Sequence, residues 1–169
     1  PNDFPGATSI YEGLKAQIEA SGGQALLSPD GTSPQKPDVA IVLEGTPADD
    51  TPGMAKSSAQ GIVGQGVQIR LQDPTAVMNP ALVDLAVAVA EKENIKYQLA
   101  VRSSGGTDAR AFQLSGSGVP TIVLGVPARY IHSHNAIIDV SDYHAMVELS
   151  IALVEKLNQA EVDALTCYL

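Results

Sequence analysis

Tryptophan is absent, and only two phenylalanines and five tyrosines occur in 169 residues. So few rings leave little to stack on a sugar, which weakens any glycan-cleaving reading. The single cysteine, Cys167 near the carboxyl end, excludes an internal disulfide and fits a reducing compartment. Basic residues are scarce too, ten Lys and Arg against 19 Asp and Glu, a net charge of −9. Such a surface cannot neutralise a phosphate backbone, so a nucleic-acid partner is not expected. No apolar run is long enough to cross a bilayer, since Glu, Gly or Pro interrupts the longest strings. The amino end lacks the basic-then-apolar layout of a secretory signal. The expectation is a cytoplasmic protein with no membrane partner. The chain opens on Pro1 rather than Met, which leaves room for a segment upstream.

What is present reads as one α/β domain over residues 1–169, long enough to bury a sizeable core. Ile10, Leu14 and Ile18 recur at helical spacing within 8–21, and Gly22-Gly23 follows as a stop. Ala25-Leu26-Leu27 reads as a short strand before the turn cluster from Ser28 to Pro34. Residues 39–43 form a continuous apolar run, the mark of a strand buried on both faces. A Pro-, Gly- and Asp-rich loop is expected from Gly45 to about Gly53. Val67, Ile69 and Leu71 alternate as in a strand. Asn79-Pro80 predicts a helix start, an N-cap followed by proline at the first helical position. That helix runs to Glu93 with Leu82, Leu85 and Val89 inward. Further strands are expected over 97–101 and 121–124, a short helix over 109–114, and a long helix over 141–158 with Ser141 as N-cap. Strands alternating with helices predict a mixed, mostly parallel sheet covered by helices on both faces.

Four stretches carry chemistry. Glu44 closes the apolar run 39–43, where a carboxylate can stay solvated or offset its partial burial by holding a cation. Gly105-Gly106-Thr107-Asp108-Ala109 lies between a strand and a helix. Thr107 or Asp108 can cap that helix, and the glycines can equally let backbone approach a ligand. His132 follows a buried strand in Arg129-Tyr130-Ile131-His132-Ser133, and His134 would share its face in a strand; His144, inside the long helix, reads as an ordinary surface or packing histidine. A carboxylate and an imidazole at the ends of two strands are the ligand types of a metal site on an open sheet. Gly61, Gly64 and Gly66 precede a strand rather than link a strand to a helix, so they read as a turn without phosphate.

Taken together, Leu43-Glu44-Gly45-Thr46 with Ala48 and Asp50-Thr51-Pro52-Gly53, then Gly105 to Ala109, Gly118-Val119-Pro120-Thr121, and Pro127 with Arg129 to Ser133, resemble one family. It is the cocatalytic metallopeptidases that include glutamyl aminopeptidase, the tetrahedral aminopeptidases and the proteins labelled cellulase M. The match spans 37–158 and leaves 1–36 unmatched. The resemblance implies a three-layer aminopeptidase domain that uses two divalent ions, zinc or cobalt, to remove amino-terminal residues from peptides. It implies Glu44 and His132 as metal ligands, with Gly106, Thr107, Asp108 and Arg129 beside the substrate. In the family, paired ions polarise the scissile carbonyl and generate hydroxide. A glutamate then moves the proton.

The sequence also departs from that pattern. The family has an upstream histidine, a bridging aspartate and a Glu-Glu pair whose first member is the general base. No histidine precedes His132, and the region expected to hold the pair reads Ile10-Tyr11-Glu12-Gly13, with Glu12 as the one candidate base. At most two of five ligands are therefore supplied. The expected identity is the carboxyl-terminal part of a catalytic domain, truncated, with a non-catalytic peptidase-like binding or assembly module as the alternative. A glycosidase would need two carboxylates flanking a cleft, for which Glu44 with Asp49 or Asp50 is a thin basis. A truncated sheet exposes an edge, so a homo-oligomer or association through that edge is expected.

Overall fold

The computed structural model describes residues 37–55 and 59–166, together with Glu12, Lys15, Ala16, Glu19 and Ala20. The chain divides into two compact units, residues 1–36 and 37–169. In the first, the described residues are helical, as expected over 8–21, and Lys15 pairs with Glu19 one turn on at 3.7 Å. The expected strand at Ala25-Leu26-Leu27, the turn cluster after it and Cys167 lie outside the described residues.

The second unit runs β1 (Ala40–Pro47), β2 (Val67–Asp73), β3 (Ala76–Val77), α1 (Pro80–Lys92) and β4 (Tyr97–Val101). Then follow α2 (Ala109–Gln113), β5 (Thr121–Ala128), α3 (Val140–Lys156) and α4 (Gln159–Leu165). The two long ladders, β1 with β5 and β2 with β4, are parallel, while the short pairings of β2 with β5 and β3 are antiparallel. Gln68 pairs with both Gln98 and Gly125, so β4 and β5 flank β2 on opposite sides. All eight residues of β5 are buried, the consequence of lying between two strands and under helices.

Side-chain alternation gives the sheet two different faces. Val67 and Ile69 of β2, with Ile122 and Leu124 of β5, join Leu82 and Ala86 of α1 and Met146 and Leu149 of α3 in one apolar cluster. The other face carries Glu44 and Thr46 of β1 with Gln68 and Arg70 of β2, and is polar although largely buried. The short α2 reaches this second face, because Thr107 just before it bonds Asp73, which pairs with Arg70. Helices therefore cover both faces of a mixed sheet, as the pattern of the sequence implies.

Local chemistry sets the boundaries. Asn79 caps α1, its Oδ1 accepting from the Leu82 amide at 2.9 Å, and Pro80 takes the first helical position. The same residue knots three elements. Its amide donates to the Thr121 carbonyl at 3.0 Å, and its Nδ2 donates to the Leu165 carbonyl at 2.9 Å. Leu82 and Val89 are buried as expected, with Leu85 partly so. The long helix starts earlier than predicted. Asp139 caps it, accepting from the Ser141 amide and hydroxyl at 2.8 and 2.6 Å, so Ser141 is a donor to the cap rather than the cap. Although residues 45–47 read Gly-Thr-Pro, they stay paired with Val126, Pro127 and Ala128 of β5, so β1 continues and Glu44 lies inside a strand rather than at its end.

Candidate functional site

Glu44 stands opposite Gly125 in the β1–β5 ladder, and Gly125 stands opposite Gln68 of β2. The absent side chain at Gly125 matters, since a Cβ there would meet Thr46 Cγ2 at 2.0 Å. It keeps the polar face open beside Glu44. The Glu44 carboxylate is about a quarter exposed, its side chain at 25%, and pairs with Arg70 Nη2 at 3.1 Å. Burial pushes its pKa above the ordinary 4.5, Arg70 opposes that, and the charges of Asp73 and Asp108 add to it.

Arg70 is buried at 4% exposure and divides its guanidinium between two carboxylates. Its Nη1 pairs with Asp73 Oδ2 at 3.3 Å, while its Nε is buried and has no hydrogen-bond partner among the described residues. Asp73 in turn accepts from the Thr75 amide and hydroxyl at 2.8 and 2.7 Å and from the Thr107 hydroxyl at 3.2 Å. Burial alone would raise Asp73, but these hydrogen bonds and that from Arg70 bring it below the ordinary 3.8. The network thus runs from β1 through β2 to the Gly105–Asp108 loop. Neither Arg70 nor Asp73 was singled out by sequence. Gln68 and Arg70 occupy the positions that alternation assigns to solvent, and only a strand buried on both faces would have warned otherwise.

The loop itself answers the capping question. Thr107 Oγ1 accepts from the Ala109 amide at 3.3 Å, whereas Asp108 makes no side-chain cap bond and is exposed. Gly105 and Gly106 are exposed, and Gly106 packs so near Thr75 that a Cβ would approach Thr75 Cγ2 at 2.7 Å.

His132 is exposed in a loop closed by a two-way bridge between Arg129 and Ile137, at 2.9 and 3.0 Å. Tyr130 and His132 both have left-handed backbone, φ 57° and 63°. Such residues cost about 1–3 kcal/mol each and gather at functional sites. No strand continues through His134, so the shared face expected for the two histidines does not arise. His144 is an exposed residue of α3, edge-on to Tyr143 at 5.8 Å, as its bland reading implies.

Both acids after β1 are already engaged. Arg102 forks onto Asp49 at 2.6 and 3.1 Å, and Arg129 forks onto Asp50 at 2.8 and 2.5 Å. That contact holds Asp50 below the ordinary 3.8 and raises Arg129. Arg129, expected beside the substrate, is thereby tied to the loop after β1. Glu12 is helical and exposed, and belongs to the other unit. The glycine turn before β2 also holds an anion, but an internal one. The amides of Gly64 and Gly66 each donate to the buried Asp142 at 2.7 Å.

A catalytic zinc ion takes three protein ligands. Among the described residues no group of three His, Cys, Asp or Glu is placed to hold a metal ion. Glu44 and His132 are the right ligand types, yet the described residues alone do not make up a metal centre. Among the described residues no helix is long and apolar enough to cross a membrane.

Comparison with known proteins adds the family context. The family model described as M42 glutamyl aminopeptidase matches residues 29–149. Glutamyl aminopeptidase of Lactococcus lactis subsp. cremoris is 33% identical over 137 residues, 81% of this chain and 37% of that protein. The TET aminopeptidase of the marine sediment archaeon Thaumarchaeota archaeon SCGC AB-539-E09 superposes with a TM-score of 0.74 at 34% identity. That superposition covers 77% of this chain and 36% of the archaeal one. PhTET1-12s, a dodecamer in the asymmetric unit, gives 0.60 at 28% identity over 86% of this chain and 38% of its own. The chain spans little more than a third of the length of the curated relatives it matches.

Proposed function

The chain belongs to the M42 glutamyl aminopeptidase family, and on that premise we propose that it is the carboxyl-terminal part of a metal-dependent aminopeptidase domain acting on peptides. Glu44 and His132 serve as two ligands of a divalent-ion pair, zinc or cobalt, and residues outside the described set supply the remaining ligands and the general base. Gly106, Thr107, Asp108 and Arg129 face the peptide. The motif-bearing stretch, 37–158, is the peptidase portion of the chain, which works in the cytoplasm as a homo-oligomer. The dodecameric PhTET1 supports the last point.

The observation that carries this reading is the meeting of two motifs far apart in sequence. Glu44 and the Gly105–Asp108 loop are joined through Arg70 and Asp73 on one polar sheet face. A half-buried carboxylate whose proton affinity is raised by burial gains from a nearby cation. The test is hydrolysis of short peptides by the polypeptide joined to the rest of the family domain. Activity that a chelator removes and added zinc or cobalt restores is expected. A folded, complete domain with no metal-dependent hydrolysis would overturn the proposal.

A second reading, a non-catalytic peptidase-like module, is favoured by the lack of a three-ligand group among the described residues. The same assay separates the two, since the module hydrolyses nothing with or without metal.

A further inference from the structure

Arg70 has an unusual position for an arginine. It lies in the middle of a central strand at 4% exposure, and its Nε has no partner among the described residues. Replacing such a buried ionic group by an apolar residue of similar size is often neutral or stabilising, so stability alone does not account for it. Its geometry does suggest a role. Rather than forking onto one carboxylate, it sends Nη2 to Glu44 at 3.1 Å and Nη1 to Asp73 at 3.3 Å. Asp73 accepts the Thr107 hydroxyl at 3.2 Å, and Thr107 accepts the Ala109 amide at the start of α2. Every link is a directional hydrogen bond or ion pair, and the planar guanidinium fixes the angle between the two carboxylates.

We infer that Arg70 is a positioning residue that couples the Glu44 carboxylate to the Gly105–Asp108 loop. A change of partner or charge at Glu44 is passed through Asp73 to Thr107 and so to the loop's conformation. The consequence for catalysis rests on the aminopeptidase reading above, because there Glu44 binds a metal and the loop faces the peptide. The coupling itself belongs to the chain as it stands and requires no metal.

The test reads amide hydrogen exchange at Thr107, Asp108 and Ala109 in the metal-free chain. Glu44→Gln is compared in the wild-type, Arg70→Gln and Thr107→Val backgrounds. In the wild type, Glu44→Gln is expected to speed exchange of the Ala109 amide about fivefold, the equivalent of one net hydrogen bond. In either second background it adds nothing, because the relay is already cut. Thr107→Val keeps the test decisive if Arg70→Gln fails to fold, since it leaves the buried ion pairs intact. A merely structural arginine would give additive effects. No response in the wild type, or an equal response in all three backgrounds, overturns the relay. Loss of the relay alongside intact metal-dependent hydrolysis in the extended polypeptide refutes the coupling alone. An intact relay without hydrolysis refutes the aminopeptidase reading alone.

Discussion

Arg129 Nε donates to Asp50 Oδ1 at 2.8 Å, so the residue after β5 is stapled to the loop after β1. The pair is partly exposed, with the Arg129 side chain at 35%, which screens it. Arg129→Ala is therefore expected to shift the urea midpoint only slightly at neutral pH. Asp50 is held below 3.8 by this contact, so the stability it adds is present above that value and lost as pH falls below it. The wild type should therefore lose stability below about pH 4 more steeply than Arg129→Ala. Parallel curves for the two proteins would count against the pair.

Glu44 behaves in the opposite sense. Its pKa is raised above 4.5, so the folded chain binds a proton there more tightly than the unfolded chain does. Stability from this group is full below 4.5 and falls as pH rises through the folded value. Denaturation of metal-free wild type and Glu44→Gln should show the variant losing less stability over that rise. A wild type that gains relative to the variant would refute the burial argument.

Asp142 fixes the glycine turn to the first turn of α3 through the amides of Gly64 and Gly66, both at 2.7 Å. Removing the carboxylate strands two donors, the buried Gly66 amide and the partly buried Gly64 amide, each worth about 1.5–3 kcal/mol when bonded to a charge. Asp142→Ala should thus lower unfolding free energy by about 3 kcal/mol or more. A loss below about 1 kcal/mol would mean water replaces the carboxylate readily.

Gly125→Ala places a Cβ where Thr46 Cγ2 sits, in a fully buried part of the polar face. Overpacking of this kind costs about 1–3 kcal/mol. Because Gly125 is the register partner of Glu44, the substitution should also weaken metal binding in the complete domain. Calorimetric titration with zinc checks this, and unchanged affinity would separate the packing at Thr46 from the site.

Much of the fold was legible because local rules and tertiary structure agree. Asn79-Pro80 starts a helix by both cap chemistry and fixed φ, and the run before Glu44 is apolar enough to specify a strand. Yet β1 stands at the end of the described sheet and, apart from Ala40, residues 39–43 are only partly buried rather than buried on both faces. Where reading failed, a distant partner decided. Pairing with β5 carried β1 past Glu44 to Pro47, and Asp139 took the cap that Ser141 was expected to fill. The motifs pointed to Glu44 and Thr107, but the link between them was hidden. Arg70 looked like a solvent-facing residue, since alternation cannot tell a polar buried face from a wet one. The ion pairs of Asp49 and Asp50 were equally invisible, because their arginines lie far along the chain.

The central claim of the proposed function is that Glu44 and His132 supply two ligands of a metal site whose remaining ligands lie outside the described residues. Metal content after dialysis against trace zinc or cobalt tests it most directly, on the complete domain and on Glu44→Ala and His132→Ala versions. The account predicts about two tightly held ions per complete domain, with each substitution releasing metal. Stoichiometric metal that survives both substitutions would contradict it.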